Sequence, residues 1–337
     1  MPSYPMQAGG GTLQNVTLQS LVAMTNAVFG TPGQVWWVNP FTGSDANDGK
    51  TPATGFATLL QAHAAAGDGT NDVVYLVANS NTASQTTCYQ NDNLVWSKNL
   101  LHLIGVNGSS LFSPRSRIAF SPGFAAAKNL FTLSGNGCRI QGVEMFEGVA
   151  SALPTGCVNV TGARNHFLRC HLAGMGNAAN DISGAYSLNF AGAEENFFED
   201  CTIGQDTIQL GAGTSNQVLN FAAASPANTR NWFRQCRFLL NTSSASACLF
   251  ARGGGVGNLD RETVFEDCLF LNAIGSGSTN LTHAMAIAAG GGVVILTGPK
   301  TGLYGASGWN SNSGVIYATG GAQPTNTTFG LAVAITS

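Results

Sequence analysis

Through the middle of the chain, short stretches of alternating apolar and polar residues are broken by Gly, Asn and Asp, and similar stretches return about every 30 residues. Four segments carry the pattern: Asn165-His-Phe-Leu-Arg-Cys170-His-Leu172, Asn196-Phe-Phe-Glu-Asp-Cys201-Thr-Ile203, Asn231-Trp-Phe-Arg-Gln-Cys236-Arg-Phe238 and Thr263-Val-Phe-Glu-Asp-Cys268-Leu-Phe270. Each reads Phe, two polar or variable residues, Cys, one variable residue, then an apolar one. The Cys positions lie 31, 35 and 32 residues apart. A second column keeps step with them: Val158-Asn-Val160, Leu188-Asn-Phe190 and Leu219-Asn-Phe221, and more loosely Cys248-Leu-Phe250 and Met285-Ala-Ile287.

Helical periodicity is absent from this region, and each unit holds two or three β-like stretches separated by turn-forming residues. Such a unit cannot bury its own apolar face, whereas stacked copies bury a continuous core and complete one another's backbone ladders. The predicted fold is therefore all-β, a single-stranded parallel β-helix. Phe167, Phe198, Phe233 and Phe265 are expected to point inward and stack. A bend two residues later resets the alternation, so that Cys170, Cys201, Cys236 and Cys268 point inward too, as reduced thiols whose parallel Cα–Cβ bonds do not suit disulfide geometry. The outward column Leu168, Glu199, Arg234, Glu266 and the bend column Arg169, Asp200, Gln235, Asp267 place opposite charges on adjacent coils.

The ends differ from the middle. Residues 1–34 read as an N-terminal arm or attachment segment with an amphipathic helix around Thr17 to Val28. From 35 to 80 come Val35-Trp-Trp-Val-Asn, then Gly43-Ser-Asp-Ala-Asn-Asp-Gly49, Thr51-Pro-Ala-Thr54 and Phe56-Ala-Thr-Leu59, an Ala-rich helix to about Ala66, and Asp72-Val-Val-Tyr-Leu76. This order resembles the opening segment of pectate-lyase-like right-handed β-helix proteins, in which the helix shields the end of the core. The resemblance implies a cap at 35–80, a right-handed sense for the coils at 81–290, and a trimer by analogy with phage β-helices. It leaves activity open, because that superfamily holds lyases, hydrolases, phage tailspikes and inert virion proteins. Residues 291–337 read as a C-terminal β-rich assembly segment.

Only 9% of the residues are charged and Gly numbers 43, while the formal net charge is −3. Disorder is excluded by the low charge, and the absence of a basic patch excludes a nucleic-acid partner. No apolar run is long enough to span a bilayer and the start lacks a secretion signal, so the expectation is synthesis in the cytoplasm without a membrane partner. The eight Cys show neither CxxC pairs nor zinc-finger spacing and are expected as buried thiols, with no metal or other cofactor.

Candidate chemistry is sparse. Glu144 and Glu147, in Gln141-Gly-Val-Glu-Met-Phe-Glu147, are the best acidic pair, yet three residues apart in a strand they face opposite ways unless a bend intervenes. Glu194 and Glu195 share a turn. His166 and His171 flank one Cys turn, and His63, His102 and His283 stand alone, none beside a Ser or Asp that would orient a base. Asp45-Ala-Asn-Asp48-Gly49 offers oxygen ligands for Ca2+ but lacks the spacing of an EF-hand loop, and reads as a turn. Trp232 and Trp309 are the expected exposed aromatics for a glycan.

After Asp267 one charged residue remains, Lys300, a composition suited to an assembly surface. These observations lead to the expectation of a non-enzymatic structural protein of a tailed-phage virion, a capsid decoration or head-associated β-helix that binds itself, as a homotrimer, and capsid protein. The alternative is a receptor-binding tailspike or fibre that binds, and cleaves, host surface glycan. A bacterial polysaccharide lyase comes third.

Overall fold

The computed structural model describes residues 33–78, 87–107, 112–152, 156–211, 216–246, 248–252, 257–273, 275, 277–287, 291–310 and 316–318. Within them the chain winds as a right-handed parallel β-solenoid with three parallel sheets of ten, eight and seven strands. Each middle coil gives one strand to each sheet. The coil that starts at 166 contributes His166–Leu168 to the ten-stranded sheet, His171–Ala173 to the eight-stranded sheet and Tyr186–Phe190 to the seven-stranded sheet. Strand pairing continues past 290: Val293–Thr297 pairs with Glu262–Glu266, and Ile316–Ala318 pairs in turn with Val293–Thr297. The helix expected at Thr17 to Val28 and the chain after 318 lie outside the described residues.

At the N-terminal end Val35–Val38 pairs with Val73–Val77. The helix between them is Leu59–Ala65, shorter than the expected 56–66. Its start is set by Thr58, whose hydroxyl accepts the Gln61 N–H at 3.1 Å, while Phe56 bridges to Val38 and is buried. Leu59 and Ala62 face the core, and His63 tilts over Trp96, so the helix covers the first coil.

The interior is layered by residue type. Phe167, Phe198, Phe233 and Phe265 are fully buried, with ring centroids 4.4, 4.9 and 5.0 Å apart in sequence. Cys170, Cys201, Cys236 and Cys268 are buried free thiols, and each S–H points at the carbonyl two residues back and at one on the preceding coil. Burial pushes the Cys170, Cys201 and Cys236 thiols well up, which suits packing groups and not nucleophiles. Between the Phe and Cys layers the backbone turns through one left-handed residue per coil. Arg169, Asp200, Gln235 and Asp267 have φ of 51, 51, 54 and 53°, and Gly142 and Gly298 take the same place at the ends of the row. That single residue resets the strand alternation.

A third ladder runs through Asn165, Asn196 and Asn231, all buried. Each side-chain oxygen accepts a backbone N–H from the preceding coil, of Cys138, Asn165 and Asn196 respectively, and each amide NH2 donates to a turn carbonyl, Gly135, Gly162 or Ala193. The turn backbone is thereby satisfied without water.

Outside, Arg234 pairs with Glu199 at 2.5 Å and Arg169 with Asp200 at 3.3 Å. Glu266 acts on Arg234 through its charge, without a direct ion pair among the described residues. A second charged row, one turn away, links Arg164, Glu195, Arg230 and Glu262 at 2.8, 3.4 and 3.8 Å. Glu195 is thus held by two arginines, and Glu194 bridges the backbones of Ala163 and Thr229.

Candidate functional site

Register decides which side chains meet on the outer face of the eight-stranded sheet. Arg117 pairs with Glu144, and Glu144 with His171, so these three stand in one outward row on successive coils. The neighbouring outward row is Tyr89, Ala119, Phe146 and Ala173. A cavity of about 350 Å³ opens over these rows, walled by Phe112, Arg117, Glu144, Phe146, His171 and, from the turn after Thr202–Gly204, Asp206.

Glu144 is 3% exposed. Its Oε2 lies 3.0 Å from Arg117 Nε, with the N–H off the line to the oxygen, so the contact is ionic more than a formed hydrogen bond. The Arg117 guanidinium lies over the Phe146 ring at 4.1 Å. His171 receives the Ser113 backbone N–H at Nδ1, 3.1 Å, and so carries its proton on Nε2, from which it donates to the Gly204 carbonyl at 3.0 Å. Its Nδ1 also lies 3.6 Å from Glu144 Oε1. Gln205 fixes the turn that carries Asp206: its amide donates to Met175 O, and its oxygen accepts the N–H groups of Thr207 and Ile208. Asp206 itself is exposed.

Glu147 does not join this site. Glu144 and Phe146 face out, and Glu147, 1% exposed, sits beside the core thiol of Cys157. Backbone N–H groups of Met175 and Val149 reach its carboxyl, but desolvation dominates and pushes the group up to about 8, a neutral acid at ordinary pH. The two glutamates of the sequence pair therefore separate, one at the cavity and one inside.

Other candidates fall elsewhere. Trp232 is exposed on the outer face of the ten-stranded sheet. Trp309, expected to be exposed, is buried at 7% and meets Phe270 edge-on, because the last described coils pack it over the core. Asp45 accepts the N–H groups of Ala57 and Thr58 and the Thr58 hydroxyl, and Asp48 accepts Lys50 N–H and the Thr54 hydroxyl. Both carboxylates thus brace the cap. Among the described residues no three His, Cys, Asp or Glu gather as a metal site.

No protein-family model and no curated protein matches the chain. Its fold is similar to solved structures of pectate lyase Pel9A (14% identity, 85% of this chain and 68% of that one, TM-score 0.54), a rhamnogalacturonan lyase (16%, 85% and 73%, TM-score 0.53) and the pectin methylesterase from Aspergillus niger (14%, 85% and 84%, TM-score 0.52). This corrects the expectation of a protein that is not an enzyme: these three solved structures with a similar fold are enzymes. The expectation rested on carboxylates being dispersed along the chain, and the coils bring distant ones to one cavity. At these identities the likeness is one of fold: the chain is a parallel β-helix similar in fold to these three proteins.

Proposed function

We propose that the protein binds a surface glycan on the outer face of its eight-stranded sheet and hydrolyses it there. The observation that carries this reading is the meeting of Glu144, His171, Arg117 and Asp206 at one aromatic-walled cavity. Glycoside hydrolysis needs two carboxyl groups: one protonates the leaving glycosidic oxygen, and the other takes a proton from the water that bonds to the anomeric carbon. Glu144, paired with Arg117, suits the base. Asp206, two coils further along, supplies the second carboxyl. Two coils span roughly 10 Å at about 4.8 Å each, nearer the separation of about 6.5–9.5 Å used by inverting enzymes than the shorter one of retaining enzymes. Arg117, 3.0 Å from its Oε2, positions the Glu144 carboxylate.

Incubation with bacterial capsule, lipopolysaccharide and other polysaccharides is expected to release reducing ends. Glu144→Gln and Asp206→Asn should each lower that rate at least about 100-fold, with unchanged circular dichroism. Cleavage that survives both substitutions, or none by the parent protein on any glycan, removes the proposal.

The setting in this proposal is a tailed-phage particle, on which the chain is a receptor-binding spike that associates as a homotrimer. Its support is the charge-poor sequence from 268 to 337, with Lys300 alone charged. Sedimentation of the full chain is expected to give a trimer, and a monomer at micromolar concentration would refute this part.

A further inference from the structure

The cavity at Glu144 does not stand alone. A second cavity of about 350 Å³ adjoins it along the same sheet face, and Arg117 and Phe146 line both. Tyr89, exposed, marks its far side, and register puts Tyr89, Ala119, Phe146 and Ala173 in one row parallel to the solenoid axis. The two aromatic rings, two coils apart with Ala119 between them, make a trough with flat apolar patches roughly 10 Å apart.

Charge then decides what the trough takes. The second cavity contains one charged lining residue, Arg117, and the first adds Glu144 and Asp206. Among the described lining residues the one cation, Arg117, lies 3.0 Å from Glu144 and 4.1 Å over the Phe146 ring, so it is already occupied by a carboxylate and a ring. Both nitrogens of His171 are engaged, Nδ1 by the Ser113 N–H and Nε2 by the Gly204 carbonyl. With Asp206 protonated as the acid of hydrolysis, Glu144 and Arg117 balance, and the lining residues of the two cavities carry no excess positive charge. A sugar carboxylate or sulfate bound here would face the Glu144 carboxylate while the one cation of the described lining is already paired, in a site partly shielded from water where like charges repel more strongly.

Resting on the reading of this face as a glycan site, we infer that its substrate is an uncharged oligosaccharide, lying parallel to the solenoid axis with its rings against Tyr89 and Phe146. This also separates the reaction from elimination. A lyase removes a proton next to a uronate carboxylate and needs cations to hold that carboxylate, whereas hydrolysis of a neutral glycan needs only the two carboxyl groups and water.

A glycan array carrying neutral, uronate-bearing, sialylated and sulfated oligosaccharides tests the inference, probed with the tagged full chain and with Tyr89→Ala and Phe146→Ala. Tyr89 is 40% exposed, so its replacement leaves the fold intact, and circular dichroism checks both variants. The expected result is binding confined to neutral glycans, weakened at least about fivefold by each substitution and little changed by salt between 50 and 500 mM, since no ion pair forms. Binding to acidic glycans that Tyr89→Ala weakens would overturn the uncharged substrate and leave the glycan site standing. An array with no bound glycan, or binding indifferent to both substitutions, would overturn the site itself.

Discussion

Phe233→Ala is expected to destabilise the solenoid by about 3–5 kcal/mol, the range for removing a large buried aromatic side chain. The ring is fully buried and stacks on Phe198 at 4.9 Å and Phe265 at 5.0 Å, with Phe238 edge-on at 5.4 Å and Phe190 at 5.9 Å. Its loss therefore interrupts the ladder and leaves a void bounded by four other rings. Neighbours cannot collapse into the gap, because strand pairing on both sides fixes the spacing of the coils. Repeat structures draw their stability from contacts between adjacent units, so the lesion weakens both interfaces of its coil. Urea denaturation followed by circular dichroism measures the change. Glu199→Ala on the same sheet is the comparison. It breaks the pair with Arg234 at a partly exposed site and should lower stability by no more than about 1 kcal/mol. Similar midpoints for the two variants would show that the outer charges, and not the aromatic column, hold adjacent coils together.

That contrast bears on what the sequence reveals of such a fold. Phe and Cys recur at nearly constant spacing because each coil must fill the same interior position, so the columns are legible as repeats. The bend column is legible too, since the shift from inward Phe to inward Cys requires one residue out of the strand alternation, and Arg169, Asp200, Gln235 and Asp267 take it with positive φ. The Asn ladder was in plain sight, with Asn165, Asn196 and Asn231 opening three of the four repeat segments, and its role needed only the question of what satisfies a buried turn.

The cavity was not legible in the same way. An outward position is free to vary from coil to coil, so its row carries no repeat: Arg117, Glu144 and His171 are followed by Thr202 and then Arg237. His171 occupies the variable place after Cys170, and Glu144 the equivalent place one coil earlier. Aligning the coils by their inward residues would have put both in one outward row. Asp206 sits in a turn outside every repeated segment, where only the folded chain relates it to Glu144. Trp309 failed for the opposite reason, because local composition rich in Gly, Ser and Asn suggests a surface while the last described coils enclose it.

Glu147 provides the second large effect, and its sign can be worked out from burial. In the unfolded chain it titrates near the ordinary 4.5, and in the folded protein near 8. Between those values the folded state holds a proton that the unfolded state has released, so stability falls as pH rises through this window and levels off above it. At about 1.4 kcal/mol per pH unit the whole effect is on the order of 4–5 kcal/mol. Glu147→Gln keeps the shape and an oxygen for the N–H groups of Met175 and Val149 but has no proton to lose. The variant should match the parent protein near pH 4 and exceed its stability by on the order of 4–5 kcal/mol at pH 8.5. His63, His102 and His166, whose values burial lowers, titrate in both proteins and cancel in the difference. The thiols of Cys88 and Cys138, which burial pushes up to about 11, are likewise common to both proteins and cancel. Urea midpoints of the two proteins at half-unit steps from pH 4 to 8.5 give the difference curve. A flat curve would mean that Glu147 is ionised inside the fold, held by the two N–H groups against the cost of burial. A rising curve that flattens near pH 8 would place a neutral carboxylic acid beside Cys157, one residue from the wall of the cavity and yet closed off from it.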